Sequence, residues 1–273
     1  MQDYRVIDKD TGKQPLIVTV DVEPDWGCGG TEGIREVLPR LLESLVAWGG
    51  HVTFFVVSDL LSSQLAGSAG VSILREAAAA GHEIGSHGKS HAVLTGLSPT
   101  EVEEEISTSR QSLEDSLGVE IRGFRAPFLK GPKSLCATLE RCGYKYDSSV
   151  GRVWPAWYNV SAGKWKPIRQ GGIVRLPTTT LRGGIVPFSL TYLRLLHPVG
   201  SKMVDKRARL LYFHLHEFLG PETTSCLRWP VRWLERRNTG KPAWEILERV
   251  LNVKERRLIT CWEFLVENGL VKA

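Results

Sequence analysis

Long apolar runs are missing from this sequence. No stretch of about 18 consecutive apolar residues occurs anywhere in its 273 residues, which excludes a membrane-spanning helix. The opening residues Met1 to Arg5 have no apolar segment behind them, so no secretory leader is read there. Cysteine is scarce. Cys28, Cys136, Cys142, Cys226 and Cys261 make an odd count with no C-x-x-C pair, which is not a disulfide framework. They read as reduced thiols, and the expected location is cytoplasmic. Internal repeats, low-complexity tracts and linker-like stretches are missing too, so one domain over residues 1–273 is expected. Neither sign of charge dominates. With 35 basic and 30 acidic side chains the net charge is +5, too mild to suggest a nucleic-acid partner without a clustered patch. The remainder, 42% apolar and 24% charged, is an ordinary globular composition with nine tryptophans.

Strand and helix patterns alternate along the chain. Leu16-Ile-Val-Thr-Val20 is a β-branched run that reads as a buried strand, and Val52–Val57 reads as a second. Shorter strands are expected over 82–86, 121–124, 144–147, 173–176 and 210–213. Helical spacing covers Glu32–Trp48, with Gly49-Gly50 as its stop. Further helices are expected over 73–80, 98–117 (Pro99 just inside its start), 132–142, 242–251 and 261–268. Residues 151–172 read as an aromatic loop. About seven strand–helix units in one chain of this length predict a parallel α/β barrel. The C-terminal part, 218–273, reads as a mainly helical extension.

Parallel α/β folds gather their chemistry at the carboxyl ends of the strands. The first strand ends in Asp21-Val-Glu23. Residues i and i+2 of a strand face the same side, so both carboxylates can enter one site. One can bind a metal while the other acts as a base. His87 and His91, four apart, read as one face of a helical turn that brings two imidazoles to one divalent ion. Arg125-Ala-Pro-Phe128 is a stiff strand exit whose arginine suits a carboxylate. His214 and His216 share a strand face. One is expected to be a general acid and the other to support it.

In order, Thr19-Val-Asp-Val-Glu23, Ser86-His-Gly-Lys-Ser-His91, Arg125-Ala-Pro-Phe128, Tyr146-Asp-Ser-Ser149 and Phe213-His-Leu-His216 resemble the five motifs of the polysaccharide deacetylase family, the NodB-homology, carbohydrate esterase type. The resemblance covers residues 16 to 217. It implies a distorted (β/α)7-8 barrel over about 14–217 and a hydrolase that removes an N-acyl group, acetyl or formyl, from an amino sugar. It also implies roles. Asp21 is the base and Arg125 orients it. Glu23, His87 and His91 hold a divalent metal, zinc first, with cobalt, manganese or nickel as alternatives. His214 is the acid, and Asp147 tunes it; a general acid at His216 instead is the other form within the family. Position 22 is Val where many secreted members carry a second Asp, so the metal carboxylate falls to Glu23. Phe128 stands where the family often has Tyr, and its backbone N–H is the expected oxyanion contact.

The substrate signals are weaker. Trp154, Trp157, Tyr158 and Trp165 could stack on sugar rings. Basic stretches follow at Lys202, Lys206, Arg207 and Arg209, then at Arg228, Arg232, Arg236 and Arg237. The second stretch interleaves Trp229 and Trp233, which fits an anionic membrane surface or a phosphate. A lipid-linked or nucleotide-linked sugar would fit such a patch; the first motif and Gly30-Thr-Glu-Gly-Ile34 are similar to deformylases of lipid-linked amino sugars, which implies a lipid-linked substrate and a place at the inner face of the membrane. Two other readings stay open: a metal-independent amidohydrolase acting on a small ureide, and a non-catalytic saccharide-binding module.

Overall fold

The fold is built on β1 (Gln14–Val22), whose Leu-Ile-Val-Thr-Val run favours a pleated, two-sided burial. In this computed structural model, residues 12–272 are described, apart from 63, 154–155, 158–164, 182–185, 205–207 and 253. After β1 come a one-turn π-helical start (Gly33–Val37), α1 (Leu38–Trp48), β2 (Thr53–Val56), α2 (Gly67–Ala79), β3 (Glu83–Ser86) and α3 (Pro99–Leu117). The chain continues through β4 (Gly123–Phe124), α4 (Leu135–Arg141), β5 (Tyr146–Val150), a small hairpin of β6 (Arg152–Val153) and β7 (Ala156–Trp157), β8 (Ile168–Gln170) and β9 (Ile173–Pro177). It ends with α5 (Leu190–Leu195), β10 (Leu210–His214), α6 (Val231–Glu235), α7 (Lys241–Leu251), β11 (Arg256–Ile259) and α8 (Cys261–Glu267).

The main sheet has nine strands in the order β10-β1-β2-β3-β4-β5-β9-β8, with β11 joined to the first half of β1. Every pairing is parallel except β8 on β9. The sheet curls into a half-barrel with helices around it, so the expected barrel is an incomplete one: β10 and β8 remain as separate edges. Strand alternation sorts the core. Leu16, Val18, Val20 and Val22 point toward the helices, in one apolar cluster with Phe54, Phe124 and Phe213. Ile17 points the other way, into a concave cluster with Phe55, Tyr146, Tyr212 and Phe264. Asp21 is two and four residues on from Thr19 and Ile17, so it shares their concave face.

Helix starts follow local chemistry. At α3 the Ser98 hydroxyl accepts from the Glu101 N–H, and the Glu101 carboxylate accepts from the Ser98 N–H at 2.8 Å. Thr260 and Glu263 form the same reciprocal cap on α8, which places Phe264 and Leu265 in the concave core.

Three expectations change. The C-terminal third is not only helical: Arg256–Ile259 returns to the sheet as β11 beside β1. The aromatic loop contains the β6–β7 hairpin and the exposed antiparallel edge β8. The cysteines are not all reduced, because Cys28 and Cys226 form a disulfide. Sequence separation hid this pair: its partners stand 198 positions apart, and the fold brings them within bonding distance.

Candidate active site

Parallel pairing sets the site. The register of β1 against β10 places Asp21 directly beside His214, at the carboxyl end of the sheet. Arg125 leaves β4 fully buried and donates from one guanidinium nitrogen to Asp21 Oδ1 at 2.7 Å. Its other donors go to the Ser148 carbonyl (3.3 Å) and hydroxyl (2.8 Å) on β5. The Phe55 ring lies under the guanidinium, 4.4 Å away. With one oxygen of Asp21 occupied, the other faces His214 Nε2 at 3.8 Å. That separation is too long for a hydrogen bond.

His214 is held from behind. Its Nδ1 lies 3.1 Å from Glu217 Oε1, which also accepts the His214 backbone N–H at 3.0 Å. The other Glu217 oxygen accepts from Nε of Arg194 at 2.7 Å, and both of these side chains are fully buried. Burial alone would lift the Glu217 carboxyl, but Arg194 and then His214 outweigh it and hold it down to about 2. For His214, burial disfavours the imidazolium, but Glu23, Glu217 and Asp21 together raise it to about 10. These carboxylates favour the protonated ring. His216 is the opposite case. Burial and the neighbouring His214 charge lower it to about 3, so it is neutral. Its ring stacks on His214 at 5.0 Å and meets Trp26 at a tilt, 4.3 Å away, and its buried Nδ1 has no hydrogen-bond partner among the described residues.

A second cluster lies beside this pair. Glu23, His87 and His91 each offer a ligand atom, all within 4.8 Å of one another. Glu23 Oε2 is 2.6 Å from His91 Nε2 and 3.5 Å from His87 Nε2. His87 Nδ1 donates to the Arg125 carbonyl at 2.8 Å; a carbonyl only accepts, so Nδ1 carries a proton and Nε2 is the nitrogen turned toward Glu23. Burial raises the Glu23 carboxyl, but His214, His87 and His91 outweigh this and hold it well below the usual carboxylate range. Two imidazole nitrogens and one ionised carboxylate, with an outer hydrogen bond already fixing one ring, are a donor set that suits a first-row divalent ion.

The His87–His91 segment is a loop, not the helical turn expected from the spacing. Gly88 has φ +82° and His91 φ +64°, and these two left-handed residues aim both rings at Glu23. Glu105 on α3 fixes the loop by accepting the Lys89 and Ser90 N–H groups at 3.0 Å. Phe128 also has positive φ. Its ring is half exposed and lies 4.9 Å from His91.

Asp147 is not brought to His214. Its oxygens accept from Arg175 Nε (2.9 Å) and the Ser149 N–H (2.8 Å). The adjacent Ser148 holds Arg125, and Ser149 holds the Ala126 N–H at 2.7 Å. The Tyr146–Ser149 motif therefore serves the Asp21 side of the site, and Glu217 fills the place at His214 that was expected of Asp147. Glu217 directly follows the His-Leu-His motif, so its position carried a signal. Arg194 carried none; it is an ordinary arginine on a short helix. Asp25 is a further buried acid. Its carboxylate accepts from the Gly33 N–H at 3.1 Å and closes the Gly-rich loop, while burial and Glu32 raise it to about 7.

Trp154 and Tyr158 lie outside the described residues, as does the side chain of Trp157. Trp165 faces the core instead, edge-on to Phe264 with its N–H on the Pro177 carbonyl. Lys206 and Arg207 also lie outside the described residues.

A family model described as polysaccharide deacetylase matches residues 8–146. A chitooligosaccharide deacetylase of a Bradyrhizobium species is 25% identical over 171 residues, spanning 61% of this chain and 71% of that protein. Chitin deacetylase 1 of Cryptococcus neoformans var. grubii is 30% identical over 103 residues; the match spans 38% of this chain and only 21% of that protein. Among solved structures, a peptidoglycan deacetylase from Bacillus subtilis aligns over 94% of this chain and 93% of its own, with TM-score 0.55 and 16% identity. A family 4 acetyl xylan esterase from Clostridium thermocellum, solved with a cobalt ion, covers 94% and 92%, with TM-score 0.54 and 17% identity. At such identities the structural likeness bears on fold alone.

Proposed function

Since this chain belongs to the polysaccharide deacetylase family, we propose that Asp21 and His214 act as base and acid on the N-acyl group of an amino sugar in a chitin-like saccharide, beside a divalent metal held by Glu23, His87 and His91. The chain is a hydrolase of amide bonds. The observation that carries the finer reading is the placement of Asp21 and His214 on paired strands, 3.8 Å apart and next to the Glu23–His87–His91 cluster.

Amide hydrolysis needs a base to deprotonate water and a separate acid to protonate the amine, because an unprotonated amine leaves poorly. Arg125 fixes Asp21 through one oxygen and leaves the other toward the gap, where it can take a proton from water. Glu217 anchors His214 at Nδ1, which leaves Nε2–H facing the same gap to donate to the leaving nitrogen. When bound, the metal supplies Lewis-acid polarisation of the amide carbonyl and a more acidic water; zinc is the first choice for this donor set. Backbone donors near Phe128 are the proposed partners for the developing oxyanion. His216 is a supporting residue in this scheme, because its neutral ring packs between His214 and Trp26.

The test is mass spectrometry of N-acetylated and N-formylated glucosamine oligomers after incubation with the protein and zinc or cobalt. Expected is loss of one acyl group per reacted sugar, inhibition by a chelator, and loss of both activity and bound metal in His87→Ala. Full activity in metal-stripped protein would overturn the metal assignment. No acyl loss from either series would overturn the substrate class.

A further inference from the structure

The segment after the site, residues 226–237, is not used by the chemistry proposed above. It exposes bulky apolar groups: Trp229 is 82% exposed, Trp233 54%, Val231 50% and Leu234 40%. Isolated exposed apolar side chains are ordinary, but four within six residues form a patch. Arg228, Arg232 and Arg236 are exposed among them, and no carboxylate lies within ion-pairing distance of these three among the described residues. Arg237 lies over the Trp233 ring at 5.3 Å.

The segment is fastened to the site at both ends. Cys226 is bonded to Cys28 in the Gly-rich loop after β1. Three residues before Cys226, Thr223 accepts from the indole N–H of Trp26, the ring that packs against His216. At the far end, Arg194 donates to the carbonyls of Glu235 (3.0 Å) and Arg237 (2.7 Å), while its Nε holds Glu217 behind His214. The patch is therefore tied, through Trp26 and Arg194, to the side chains that pack against His216 and hold Glu217 behind His214.

We propose that residues 228–237 are a docking patch for an anionic lipid surface. Arginines complement headgroup phosphates, and tryptophan favours the headgroup–acyl boundary. Val231 and Leu234 separate this reading from a saccharide platform, because branched aliphatic side chains do not stack on sugar rings but do enter the acyl boundary. Docking there would hold this tied segment against the lipid surface, and it goes beyond the hydrolytic reading without depending on it.

The test is flotation of the purified full chain with vesicles of phosphatidylcholine alone and of phosphatidylcholine mixed with phosphatidylglycerol. Expected is binding to the anionic vesicles and little to the neutral ones. A juxtaposed arginine contributes about fivefold in partitioning, so Arg232→Gln with Arg236→Gln should lower the partition coefficient roughly 30-fold. Arg232→Lys with Arg236→Lys should retain most of it, and Trp229→Ala should lower it at unchanged charge. All these positions are exposed, and unchanged far-ultraviolet circular dichroism checks the fold. No binding to anionic vesicles, equal binding to neutral ones, or undiminished binding by the glutamine variant would overturn the proposal. So would binding to a soluble acidic polysaccharide but not to vesicles.

Discussion

Two buried ion pairs stand behind the site, Arg125 with Asp21 and Arg194 with Glu217. A charge left alone in such a place is costly, so these pairs act as units. Replacing Glu217 by Gln removes the carboxylate that anchors His214 Nδ1. The His214 titration, read by NMR of the imidazole ring, is expected to move down from about 10, and hydrolysis to fall about 10- to 100-fold. Glu217→Asp should recover part of both, which a simple loss of fold would not show; an unmoved His214 titration would rule out the anchoring role. His82 gives a pH dependence away from the chemistry. It is buried at the start of β3, its Nδ1 accepts the Val52 N–H at 3.3 Å, and it meets Phe54 edge-on. Burial, with His51 nearby, lowers it from 6.5 to about 4. Between those values the unfolded chain binds a proton that the folded chain does not. The stability from neutral His82 is therefore complete above 6.5 and is lost as the pH falls toward 4. Urea midpoints should show His82→Gln destabilised at about pH 7, with the gap to the parent shrinking at about pH 4.5. A constant gap would contradict this.

At the scale of elements, legibility followed how far a segment's own side chains decide its state. β1 was readable because its β-branched run is buried on both faces, and the start of α3 because Ser98, Pro99 and Glu101 act within one turn. β11 was not, since Arg256 and Arg257 fill half of it and it forms only by pairing with β1. β8 was missed because all three of its residues are exposed. The site shows the same division. Asp21, Glu23, His87, His91, Arg125 and His214 were all legible as groups at strand ends, and the fold brings them together. What spacing could not give is the conformation between them, so the His87–His91 segment reads as helical but is a loop made by two left-handed residues. Nor could it give partners distant in sequence. The Arg194–Glu217 pair spans 23 positions and depends on where α5 lies. Asp147 lies in a recognisable motif, yet its contacts run to Arg175 and Ser149.

At the scale of the whole molecule, the Cys28–Cys226 bond joins the loop after the first strand to the segment after the last site strand. Closing so long a loop restricts the unfolded chain, and typical contributions are about 2–4 kcal/mol. Cys28→Ser is therefore expected to lower the urea midpoint and to abolish its sensitivity to reductant; equal midpoints with and without reductant in the parent chain would refute the bond. Cys28 and Cys226 are therefore not the reduced thiols that cysteine count and spacing suggest. Every residue from 28 to 226 also belongs to one covalent ring, with the two ends of the chain as tails. A protease that cuts once inside the ring opens it but releases nothing. Such a nicked molecule would migrate as one band on a non-reducing gel and as two after reduction, and its Asp21 and His214 strands would stay tethered through the cut.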